Sequence, residues 1–94
     1  MTTATSVLER RLAVHPDVAL RPEPFGALAY HYGNRRLIFL KHPDVVTVVR
    51  SLADHDTVSD ALRAASIDEA RWPSFERALG SLIASEMLHD RTTG

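Results

Sequence analysis

Between Val18 and Lys41 the apolar residues follow the two-residue period of strands, and beyond Pro43 they recur every third or fourth position, the period of helices. Val18 to Arg21 predicts a short strand, ended by Pro22-Glu23-Pro24, because proline removes a ladder donor and biases its predecessor. Phe25 to Tyr32 predicts a second strand, with Leu28, Tyr30 and Tyr32 on one side and Phe25, Ala27, Ala29 and His31 on the other. Gly33-Asn34 marks a turn, since both residues tolerate positive φ, and Arg36 to Lys41 predicts a third, antiparallel strand.

Pro43 suits a first helical position and Asp44 a first turn, with Val45, Val48, Val49 and Leu52 on one face. Thr57 to Asp60 has the spacing of a capping box, opening a second helix with Val58, Ala61, Leu62 and Ala65 inward. One extra turn fits between Ser66 and Arg71, and a third helix is expected from about Pro73 to Leu88. The fold class is α+β: a three-stranded antiparallel sheet followed by three helices, in a winged helix-turn-helix-like layout. Residues 1–14 carry only a thin apolar pattern at Val7, Leu8 and Leu12 and read as an N-terminal tail. Residues 15–90 form the domain and 91–94 a C-terminal tail.

Composition removes more functions than it suggests. The 94 residues are 45% hydrophobic and 24% charged, which fits one small globular domain. Eleven basic and twelve acidic residues give a net charge of −1, without the footprint of a nonspecific nucleic-acid or membrane-surface binder. There is no Cys, hence no disulfide, thiolate metal site or cysteine nucleophile. No apolar run approaches the roughly 20 residues of a membrane span and no signal-peptide pattern stands at the start, so a cytoplasmic location is expected.

The histidines at 15, 31, 42, 55 and 89 share no helix-face spacing, so no metal site is expected. Of the five, His31 is the best placed, half-buried beside Phe25 and Ala29. No GxSxG, P-loop or GxGxxG occurs, and capping explains Asp54, Asp56 and Asp60. Neither catalysis nor a cofactor is expected. A winged-helix DNA-binding regulator is the alternative, yet its third helix offers Glu76, Arg77, Ser81, Ser85 and Glu86, one base against two acids.

Two places carry more apolar surface than a small core needs. On the third helix Trp72, Phe75, Ala78, Leu79, Leu82, Ile83 and Met87 span about half the circumference, where one contact needs a stripe of roughly 100°. On the third strand Leu37, Ile38, Phe39 and Leu40 are apolar on both faces. Together they predict a hydrophobic groove beside an open backbone edge, suited to an extended peptide. The candidate peptide-binding residues are Arg36, Leu37, Ile38, Phe39 and Leu40 on the strand, with Phe75, Ala78, Leu82 and Ser85 on the helix.

The stretch from Val18 through Arg21-Pro22-Glu23-Pro24-Phe25-Gly26 to Tyr30-His31-Tyr32, then Arg36 to Lys41, resembles the peptide chaperones of mycofactocin biosynthesis. Ala78-Leu79-Gly80-Ser81-Leu82 and Met87-Leu88 fit the same family, one of the PqqD-like recognition elements for ribosomally made, modified peptides. The resemblance implies a non-catalytic protein that captures a precursor (leader) peptide by strand addition and presents it to a radical SAM maturase. The iron–sulfur clusters and S-adenosylmethionine belong to that partner. A surface for the maturase distinct from the groove is then expected, either the polar side of the first two helices (Arg50, Asp54, Asp60, Arg63) or, preferred, the Arg35–Arg36 tip.

Overall fold

A computed structural model describes residues 7–91. The α+β class is as expected, and the chain order shows what the sequence period left out. Strand β1 (Leu12–Val14) leads to β2 (Val18–Glu23), β3 (Gly26–His31) and β4 (Leu37–Leu40). Helices α1 (Pro43–Ser51), α2 (Val58–Ala64) and α3 (Trp72–Ala84) follow, and β5 (Leu88–Asp90) closes the chain.

The main sheet runs in the order β2-β3-β4, antiparallel throughout. β2 continues through Pro22 to Glu23, two residues past the expected stop, with Pro22 opposite Ala27. An edge strand tolerates proline because the missing N–H belongs to the unpaired side. On β3 the alternation holds: Ala27, Ala29 and His31 are buried, and Leu28 and Tyr30 face the other way, half-buried. The small inward alanines let α1 approach the sheet.

The β3–β4 turn is built by polar side chains, and its positive φ falls on Arg35 (63°) instead of Gly33 or Asn34. His31 Nδ1 accepts from the Gly33 and Asn34 amides (3.0 and 3.1 Å), and Asn34 Oδ1 accepts from the Arg36 amide (2.9 Å). Asn34 thus supplies a side-chain acceptor while its neighbour takes the left-handed residue.

Pro43 opens α1, whose Val48 and Val49 are buried, as is Leu52 just beyond, with Val45 half-buried. Thr57 Oγ1 accepts from the Asp60 amide (3.2 Å), the expected cap of α2, which buries Val58, Ala61 and Leu62. The extra turn is a 3-10 turn at Glu69–Arg71, capped by Asp68 on the Ala70 amide (3.1 Å).

Two expectations are corrected. α3 stops at Ala84, four residues before the expected end, although Met87 and Leu88 keep a helical spacing. Glu86 takes φ 65°, and the Glu86 and Met87 amides return to the carbonyls of Ile83 and Leu82 (2.9 and 2.8 Å). That closure usually falls on glycine, so no sequence signal announces it. Residues 7–14 are no tail: a 3-10 turn at Val7–Glu9 precedes β1, which pairs antiparallel with β5, Leu12 facing Asp90 and Val14 facing Leu88. Leu12 is 1% exposed and joins Leu52, Leu62, Leu79 and Met87 at the centre of the core. The remaining tail residues, 1–6 and 92–94, lie outside the described residues.

Polar contacts lock this second sheet. Arg91 donates to the carbonyls of Leu12 (3.1 Å), Ala53 (3.3 Å) and His55, and Arg10 pairs with Asp90 through two hydrogen bonds. The Arg10 guanidinium holds the Asp90 carboxyl below its ordinary value of 3.8. Folding therefore favours the ionised carboxylate: its stabilisation is complete above about pH 4 and is lost as pH falls through the lower, folded value. With the Asp90 side chain 40% exposed, solvent screening keeps the contribution small. Urea titrations across acidic pH are expected to show the wild type losing more stability than Asp90→Asn, and parallel curves would refute that.

Candidate functional site

β4 is an edge of the main sheet, and the two-residue period divides its side chains. Ile38 and Leu40, opposite Ala29 and Ala27, turn toward the helices, whereas Leu37 and Phe39 remain 49% and 54% exposed on the outer face. Phe39 meets Phe25 edge-on there, with centroids 5.7 Å apart, and Phe25 is itself 42% exposed.

Between β4 and α3 runs a groove of about 250 Å³, with Ile38, Phe39, Leu40 and Lys41 along one wall and Ala78, Ser81 and Leu82 along the other. His42 and Val45 close the end. An adjoining hollow of about 370 Å³ shares His42, Val45 and Ala78 and adds Arg71, Ser74 and Phe75. Ser74, Ala78 and Ser81 follow one another at helical spacing, so this side of α3 is made of small residues and leaves room for a backbone beside the strand. Arg71, paired with Asp44 (3.0 Å), holds its guanidinium 5.3 Å from the Phe75 ring centroid.

The structure gathers Ile38, Phe39, Leu40, Ala78 and Leu82 around one groove, and Leu37 on the same open edge. Phe75, 3% exposed, lies in the floor of the adjoining hollow, and Leu82, also 3% exposed, is the most buried part of the groove's helical wall. Ser85 is not among the lining residues: it ends α3, donates to the Ser81 carbonyl (3.0 Å), and its own carbonyl accepts from Asn34 Nδ2 (3.2 Å). Ser81, Lys41, His42 and Val45 are lining residues that sequence reasoning missed. Ser81 was legible, three residues after Ala78. Val45 was assigned to the core face of α1, because period alone does not tell the centre of a face from its margin. Arg35 and Arg36 are exposed at the start of β4.

The histidines correct a further reading. His31 is 3% exposed, not half-buried, and its ring lies 4.5 Å from that of His15, which is 5.6 Å from His89. The turn after β1 supplies His15, β3 supplies His31 and β5 supplies His89, so no spacing along one element foretold it. His31 Nε2 is buried without a hydrogen-bond partner. Among the described residues no group of His, Asp or Glu is arranged to hold a metal ion, and no helix is long and apolar enough to cross a membrane.

An unpaired strand edge beside an apolar groove can add an extended segment, backbone bonds supplying affinity and the groove selecting side chains. The comparisons agree in kind. The model of the peptide chaperone MftB family matches residues 11–89. The peptide chaperone MftB of Mycobacterium ulcerans is 50% identical over 80 residues, covering 85% of this chain and 73% of its own length. That of Mycobacterium tuberculosis is 45% identical over 85 residues, 90% and 78% of the two chains. That of Mycolicibacterium smegmatis is 52% identical over 75 residues, 80% and 74% of the two chains. No solved structure matches the chain. The match begins at residue 11, so it takes in β1 as well as the groove, and the chain belongs to the peptide chaperone MftB family.

Proposed function

We propose that this protein binds the precursor peptide of mycofactocin by strand addition at β4 and presents it to a radical SAM maturase, itself catalysing nothing. The observation that carries the reading is the open edge of β4 beside the groove formed with α3. Arg36 to Leu40 are the strand contacts, Ala78, Ser81 and Leu82 the helical ones. The turn before that strand, with Arg35 at its tip, is the surface offered to the enzyme, where exposed charge steers association without enlarging the core. The work is cytoplasmic in this reading. A winged-helix DNA binder is less favoured, because the exposed side of α3 mixes Arg77 with Glu76 and no basic face emerges.

Adding the precursor's leader peptide is expected to protect the β4 amides from hydrogen exchange, while amides of β2, the opposite edge, stay unchanged. Ala78→Glu sets an unpaired charge in the groove wall and is expected to weaken leader binding about tenfold or more. Because Ala78 is only half-buried, the melting temperature should stay near that of the wild type. Unchanged affinity in Ala78→Glu, together with unprotected β4 amides, would overturn the reading.

A further inference from the structure

β4 departs from an ordinary edge strand in two ways that together describe what covers it. Edge strands are usually blunted by charge, proline or bulges. Here Leu37 and Phe39 stay exposed on the outer face, and Ile38 and Leu40 border the groove. A strand added at this edge meets apolar surface with both of its alternating sets of side chains. The ends of β4, in contrast, are basic: Arg36 precedes Leu37, Lys41 follows Leu40, and both are exposed. Among the described residues no carboxylate pairs with Arg35, Arg36 or Lys41; Arg11, Arg50, Arg77 and Arg91 are likewise without one, but only Arg36 and Lys41 stand at the two ends of an open strand edge. The acid that reaches this turn, Glu86, accepts from the Asn34 side-chain amide.

We infer that β4 is a charge-bracketed clamp for an acidic peptide: a run of about four apolar residues with a carboxylate at each end. At roughly 3.3 Å per residue Arg36 and Lys41 stand about 16 Å apart, so the two acids are about five residues apart in the peptide. Both ends of β4 carry the same sign, so the carboxylates are met whichever way the peptide runs. The same charges oppose the other natural occupant of an open edge, a second copy of this chain. Antiparallel pairing of two β4 strands sets Arg36 of one against Lys41 of the other, and parallel pairing sets like residue against like. The inference rests on the peptide-binding reading above and adds the ligand's charge and spacing to it.

Three synthetic peptides test it on the full chain: a Val/Ile run of four with Glu at both ends, the same run with Gln ends, and a third with the two Glu moved inside the run. At low salt the Glu-ended peptide is expected to bind about five- to tenfold tighter than the Gln-ended one, and the advantage shrinks at high salt. The third peptide, which puts charge against the groove, binds weakest. In the Arg36→Glu/Lys41→Glu double variant the preference inverts, and the Gln-ended run binds tighter than the Glu-ended one. Equal affinity for Glu and Gln ends, with β4 amides protected by both, would overturn the clamp and leave strand addition standing. Protection of β4 by none of the three removes both ideas. Concentration-dependent self-association that protects β4 without peptide would assign the edge to a second copy and overturn the clamp.

Discussion

Gly26→Ala is expected to lower the melting temperature by about 12–24 °C, the equivalent of about 3 kcal/mol in a domain of this size. Gly26 opens β3 at φ 147°, a conformation that side chains rarely adopt, and a Cβ there would stand 2.0 Å from the Leu40 carbonyl oxygen. That obstacle is backbone, so relief requires moving the end of β4, not a side-chain rotation. The same displacement shifts Leu40 and Lys41, which line the groove. The variant should therefore bind peptide more weakly even where it remains folded. Thermal denaturation followed by circular dichroism checks the first part, and a loss of only a few degrees would show that the β2–β3 turn yields without moving β4.

Leu12→Ala is expected to cost about 2–5 kcal/mol, the range for a fully buried leucine truncated in a core that only partly collapses. A residue in a tail costs within about 0.5 kcal/mol of nothing. Leu12 is 1% exposed, between a 3-10 turn that packs on the helices and the pairing of β1 with β5. Urea unfolding distinguishes the two: a large fall in the midpoint at unchanged slope places the residue in the core, and an unchanged midpoint detaches β1 from it. Because only a short turn joins α3 to β5, the loss should also loosen that turn, where the Met87 carbonyl accepts from the His15 amide (2.9 Å).

Features that depend on neighbours within about one turn or one strand could be read directly along the chain. Alternation sorted Ala27, Ala29 and His31 from Leu28 and Tyr30, Thr57 announced α2, Pro43 announced α1, and the unbroken apolar run Leu37–Leu40 exposed the unusual edge. The resemblance carried by Arg21 to Gly26 pointed to the family. Tertiary structure alone decided what joins distant positions. Pairing Leu12 with Asp90 turned an apparent tail into core, a left-handed Glu86 ended α3 so that β5 could form, and three separate segments assembled His15, His31 and His89. It also ranked the helix face, sending Phe75 to the floor, Ser81 to the wall and Ser85 past the end. The physical reason is the same in each case. Period and capping report the cost of local backbone choices, whereas Leu12 and Asp90 are 78 residues apart and meet only after three helices have packed between them.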